Sequence, residues 1–115
     1  MNYFKELKVW QKAIDLVTET YRKSGEFPKE ELYGLTSQIR RSAVSIPSNI
    51  AEGCGRKTSK DFLNFLSIAL GSAFEFETQL IISRNLQFIP ENDFLFLEKE
   101  VHHIQNMIIK LQSTL

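Results

Sequence analysis

Two histidines, one cysteine and a glycine-rich basic loop are the parts of this chain whose residue types could carry chemistry. His102 and His103 are adjacent, so on a helix their side chains diverge by about 100° and cannot grip one metal ion together. Glu100-x-x-His103 has the carboxylate–histidine spacing of di-iron sites in helical bundles. Such a site needs a second copy on another helix, and the sequence holds no third histidine. Both histidines therefore read as polar groups on a helix surface, and no metal or cofactor is expected. Cys54 lies between Gly53 and Gly55, close to Arg56 and Lys57. Cations depress a thiol pKa and raise reactivity, but no histidine or acid is placed to work with it. It reads as a small, partly buried residue. No catalytic constellation is visible, and no enzymatic activity is expected.

Binding chemistry is better represented. The loop Gly53-Cys54-Gly55-Arg56-Lys57-Thr58 shares residue types with phosphate-cradling loops. It lacks the G-x-x-x-x-G-K-[ST] frame and follows a helix instead of a strand. A simpler idea survives: glycines free the backbone, two cations follow, and a helix N-terminus comes next, which suits an anion or a phosphate backbone. The alternative is an ordinary solvated loop. The chain carries 14 basic and 14 acidic side chains, so nothing attracts it in bulk to nucleic acid or membrane. The charge is nevertheless uneven, with 11 Lys/Arg against 7 Asp/Glu in residues 1–60 and 3 against 7 thereafter. Arg40, Arg41, Arg56, Lys57 and Lys60 hold most of the excess, and any nucleic-acid binding is expected through them. Ser42, Ser45, Ser48 and Asn49 surround Arg41 where a solvated helix would carry long Glu and Lys side chains. These short polar groups are mediocre helix formers, and they suggest that another surface, a second subunit or a polyanion, comes close. Arg41 fits either role.

Four amphipathic segments must position these groups. Leu7, Trp10, Ile14, Val17 and Tyr21 fall on one helical stripe, closed by Gly25. Pro28, Glu30 and Glu31 suit the first turn of a second helix, whose stripe is Leu32, Leu35, Ile39, Ala43, Ile46 and Ile50. Pro47 interrupts this run, giving either two shorter helices or one kinked helix; the unbroken phase from Ile46 to Ile50 favours the kink. Thr58-x-x-Asp61 opens a third helix in the manner of a capping box. Its main seam is Phe62, Leu66, Ala69, Ala73, Phe76 and Leu80, and Leu63, Leu70, Phe74 and Ile81 form a second apolar stripe. Small residues at 69 and 71–73 admit a close neighbour. After Pro90, Phe94, Leu97, Val101, Ile104, Ile108 and Leu111 mark a fourth helix.

Residues 1–115 thus read as a single all-α domain, an antiparallel up-down four-helix bundle with the second helix kinked at Pro47. The apolar share of 43%, the charged share of 24% and the scarcity of Gly and Pro agree with this class. The second apolar stripe exceeds what one bundle surface needs, so Leu63, Leu70, Phe74 and Ile81 are expected at a contact between subunits. No apolar run reaches the ~18 residues of a membrane span and the first ten residues have no apolar signal core, so a cytoplasmic protein is expected.

The motifs have a familiar order. Tyr33-Gly34-Leu35-Thr36-Ser37-Gln38-Ile39-Arg40-Arg41-Ser42-Ala43, then Ser45-Ile46-Pro47-Ser48-Asn49-Ile50-Ala51-Glu52-Gly53, resembles the four-helix bundle protein family. Its members are also called 23S rRNA-intervening sequence proteins, since some are encoded in insertions within bacterial large-subunit ribosomal RNA genes. Phe4-Lys5-Glu6-Leu7-x-Val9-Trp10-Gln11-x-Ala13 and Phe62-Leu63-x-Phe65-Leu66-x-Ile68-Ala69-x-Gly71-Ser72 fit the same family. The resemblance spans nearly the whole chain. It implies a left-handed up-down-up-down bundle assembled as a homopentamer around a central channel. A related branch, the accessory variability proteins of diversity-generating retroelements, forms strongly basic pentamers that bind nucleic acid and a reverse transcriptase. The expectation is a homo-oligomeric, non-enzymatic protein binding RNA or DNA through its local basic region, or alternatively a homo-oligomeric scaffold for a protein partner.

Overall fold

The computed structural model describes residues 3–115. Among them the chain forms four α-helices and no strand: α1 (Lys8–Ser24), α2 (Leu35–Cys54), α3 (Ser59–Asn85) and α4 (Glu91–Ser113), with 3-10 turns at Phe4–Glu6 and Lys29–Glu31. Each helix packs on its sequence neighbours, and α4 closes on α1, while the backbones of the diagonal pairs α1–α3 and α2–α4 stay farther apart. That is the arrangement of an up-down bundle with short connections. The molecule measures 43 × 24 × 20 Å.

The core seams of α2, α3 and α4 follow the sequence pattern. Ile39, Ala43, Ile46 and Ile50 face Leu66, Ala69, Ala73, Phe76 and Leu80, with Phe94, Leu97, Val101, Ile104 and Ile108 across the bundle, all buried. α1 departs from its pattern. Its buried residues are Val9, Ala13, Leu16, Thr20 and Ser24, one position out of phase with the expected stripe. Ala13, Thr20 and Ser24 are small enough to let the backbone approach, and Thr20 satisfies its hydroxyl on the Leu16 carbonyl at 2.7 Å. The bulky residues Trp10, Ile14 and Val17 are displaced to the flank facing α2, where they line a groove with Val44 and Pro47.

α2 also begins later than expected. Residues 28–34 make only a 3-10 turn and further turns, leaving Leu32 and Tyr33 exposed. Gly34 takes a non-helical backbone at φ −114°, ψ −114°, and Glu31 Oε1 accepts from the Leu35 N–H at 3.3 Å, so the helix is capped there. Beyond that point α2 runs as one helix through the buried Pro47 and not as two shorter ones.

α3 is long and apolar enough on length and composition to cross a membrane. Within this bundle its apolar seam is core packing, and Glu75, Glu77 and Arg84 punctuate its other faces. It closes with a Schellman turn: Phe88 N–H reaches the Ser83 carbonyl at 2.9 Å and Gln87 N–H the Arg84 carbonyl at 2.9 Å. Gln87 holds the left-handed position, φ 61°, that glycine usually fills.

Candidate nucleic-acid interface

The five basic candidates do not form one patch. Arg41 lies about 20 Å along α2 from the helix end at Cys54, from the 1.5 Å rise per residue, and Arg56 follows beyond that end. Arg40 is committed to α1: its Nε donates to Ser24 Oγ at 2.8 Å, Nη2 reaches the Tyr21 carbonyl at 3.4 Å, and its guanidinium lies 4.7 Å from the Tyr21 ring. It ties the last turn of α1 to α2. Arg41 points outward from α2 and borders a depression of about 360 Å³ with Gln38, Ser42, Ser45 and Glu75. Arg56, Lys57 and Lys60 gather at the opposite end, at the α2–α3 corner.

That corner is built from small residues. Gly53 lies where α2 meets the start of α3; a Cβ there would stand 2.6 Å from Phe65 Cβ and 3.0 Å from Phe62 Cδ1. Gly55 ends α2. Thr58, in extended conformation, caps α3 by accepting from the Asp61 N–H at 3.1 Å, as its sequence position predicts. Arg56 folds back, pairing with Glu52 at 3.0 Å and stacking 4.8 Å over the Phe65 ring. Lys57 and Lys60 are exposed, and no Asp or Glu among the described residues lies within ion-pairing distance of either. With Thr58, Ser59, Phe62 and Leu115, Lys57 borders a depression of about 380 Å³. The corner therefore offers two uncompensated cations beside a helix N-terminus, a combination that attracts anions. Cys54 is buried at the same corner, and burial pushes its thiol pKa up despite the nearby cations.

The short polar residues of α2 have a partner within the chain. Ser42 Oγ donates to Gln79 Oε1 at 2.7 Å, and Ser45 Oγ meets Ser72 Oγ at 2.7 Å. Asn49 Nδ2 donates to the Ser45 carbonyl at 2.8 Å. The close surface that these residues anticipate is thus α3 itself for Ser42 and Ser45, and the small residues Ala69, Ser72 and Ala73 allow its approach. Gly71 instead faces outward, and a Cβ added there would meet nothing within 4 Å. Ser48 is exposed.

The second apolar stripe of α3 runs along the flank that carries Ser67 and Glu77, both bonded to α4. Leu70 and Ile81 pack against the core and Leu63 is half-buried, while Phe74 remains 49% exposed. Most of this stripe is therefore used inside the monomer. Exposed apolar surface also occurs at Ile14 and Val44, beside the α1–α2 groove.

One polar cluster joins His102 to Glu77, Glu98 and Gln105, three residues that sequence reasoning does not single out. Glu77 of α3 accepts from Gln105 Nε2 at 2.8 Å and meets His102 Nε2 at 2.7 Å. Partial burial opposes ionisation of Glu77, but the hydrogen bonds from Gln105 and His102, with the charge of His102, hold its pKa below the ordinary carboxylate value. Glu98 lies alongside, one turn before His102 on α4. The signal legible in the sequence is Glu98-x-x-x-His102, a one-turn spacing that overlaps the more familiar Glu100-x-x-His103; the acid on α3 can be placed only by the fold. Glu100 in fact faces α1, 3.7 Å from Lys12.

A model of the 23S rRNA-intervening sequence protein family matches residues 5–110. No curated protein matches the sequence. Among solved structures, the bundle resembles a Bacteroides thetaiotaomicron protein described as of unknown function and from the S23 ribosomal protein family. The TM-score is 0.85 at 24% identity, over 91% of this chain and 95% of that one. At that identity the likeness speaks for the fold. The family match covers nearly the whole chain, and this protein belongs to the 23S rRNA-intervening sequence protein family.

Proposed function

We propose that this chain is a homo-oligomeric, non-enzymatic binding protein that engages RNA or DNA phosphates through its α2–α3 corner. The observation that carries the reading is the pair Lys57 and Lys60, exposed beside the N-terminus of α3 without an acidic partner. Arg56 contributes by releasing Glu52, a weak exposed pair that costs little to break. Arg40 serves the fold. Repetition of the corner in an assembly compensates for the zero net charge, since linked copies raise affinity through effective concentration. Exposed apolar groups at Phe74, Ile14 and Val44 support self-association. The pentamer is the assembly favoured by family resemblance.

Fluorescence anisotropy with labelled single-stranded RNA and DNA tests the contact. Affinity should fall steeply as salt rises from 50 to 200 mM and depend little on sequence. Replacing Arg56, Lys57 and Lys60 with Ala should remove about two from the slope of log K against log salt, at about 0.7 per phosphate contact on a single strand. Unchanged affinity in that variant would refute the phosphate-contact role. A second reading, a scaffold for a protein partner, is favoured by the apolar α1–α2 groove of about 270 Å³. Salt-insensitive binding to a protein, abolished by Ile14→Glu, would select it.

A further inference from the structure

We infer that Glu77, Glu98 and His102 form a binding site for a first-row divalent metal ion, with zinc the best chemical match, bridging α3 and α4. One ligand atom from each residue lies within 4.8 Å of the other two. Glu98 and His102 are one turn apart on α4, so their side chains share a face. Glu77 comes from the neighbouring helix, and Gln105 holds its other oxygen at 2.8 Å, as outer partners of metal-binding carboxylates do. The cluster is electrostatically incomplete. No Lys or Arg among the described residues pairs with Glu77 or Glu98, and no hydrogen bond among them engages the Glu98 side chain. A divalent cation between the three residues offsets both carboxylates.

The geometry needs little adjustment. Zinc–ligand bonds of about 2.0–2.1 Å in a tetrahedron place donors about 3.3 Å apart. The His102–Glu77 pair must open by roughly 0.6 Å from its 2.7 Å hydrogen bond, and Glu98 must swing inward. All three side chains are at least partly exposed, which leaves them room to do so. Zinc would take the place of the hydrogen bond between His102 and Glu77, with the imidazole bound through Nε2 and its single proton on Nδ1. Water fills the fourth position. One imidazole and two carboxylates suit zinc better than magnesium or calcium, which favour all-oxygen shells. The bound ion would staple α3 to α4.

The test is isothermal titration of the full chain with zinc chloride at pH 7.5, together with His102→Gln, Glu98→Gln and His103→Gln. Wild type and His103→Gln should each bind one zinc per chain, and zinc should raise their melting temperature. His102→Gln and Glu98→Gln should each bind at least about tenfold more weakly. Failure of wild type to bind at about 100-fold molar excess of zinc overturns the inference. So does equal binding by all four proteins, or a loss confined to His102→Gln, which would mark adventitious binding by one surface histidine. All three substitutions are polar for polar on a helix surface, and circular dichroism verifies that each variant is folded.

Discussion

Gly53→Ala adds one methyl group where α2 and α3 come closest, and the geometry fixes the sign of its effect. The new Cβ would stand 2.6 Å from Phe65 Cβ and 3.4 Å from the Phe62 carbonyl oxygen. Carbon atoms sit comfortably at about 3.5–4.0 Å, so the helices must separate by about 1 Å at this corner. Neither neighbouring atom is the free end of a flexible chain, so a rotamer change does not relieve the clash. Overpacking of this kind costs about 1–3 kcal/mol, against a gain of at most about 1 kcal/mol from replacing glycine in a helix. The net loss should be about 1–2 kcal/mol, which lowers the melting temperature of a domain this size by about 4–8 °C. Gly71→Ala is the matched control: its Cβ meets nothing within 4 Å, so helix propensity acts alone and stability should rise by about 0.5–1 kcal/mol. Thermal unfolding followed by circular dichroism at one protein concentration measures both. If Gly53→Ala is as stable as wild type, the close approach of α2 and α3 is wrong.

Ser42→Ala leaves Gln79 Oε1 buried without its 2.7 Å donor and should cost about 1–2 kcal/mol in urea denaturation, whereas Ser48→Ala, at an exposed position, should cost under about 0.5. Arg40→Ala should lower stability by about 1 kcal/mol, through loss of its bonds to Ser24 and Tyr21, and leave RNA affinity nearly unchanged. Gln87→Gly should stabilise the protein by about 0.5–1 kcal/mol, because the left-handed backbone at φ 61° costs glycine nothing. Cys54, buried and with its pKa raised, should react slowly with a thiol reagent at pH 7.5 and completely once the chain is unfolded; fast labelling of the native protein would contradict its burial.

Three of the four helices are legible in the sequence because their seams consist of large apolar residues at regular spacing. The phase of α1 is not, because its buried face includes Ala13, Thr20 and Ser24, which do not register as apolar, while Trp10, Ile14 and Val17 do. The sequence suggests too early a start for α2 because Pro28, Glu30 and Glu31 are good first-turn residues; Gly34 and the Glu31 cap on Leu35 stop them from nucleating more than a 3-10 turn. The basic residues are visible as a composition bias, but only the fold separates Arg40, a tie between helices, from Lys57 and Lys60, exposed at a corner. The short polar pattern of Ser42, Ser45 and Asn49 does signal a close surface. Its identity as α3 depends on Ser72 and Gln79, which lie 27 and 37 residues away from Ser45 and Ser42.

The central claim is that this chain acts as an assembly that repeats one basic corner, and its molar mass in solution tests that most directly. Multi-angle light scattering on the full chain at micromolar concentration should give a multiple of the 13.3 kDa monomer mass, about 66 kDa for the pentamer. Phe74→Glu and Ile14→Glu should identify the contact by which of them lowers that mass. A wild-type mass of 13.3 kDa would contradict the account, because a single neutral chain with one small basic corner has no repeated patch with which to hold a nucleic acid.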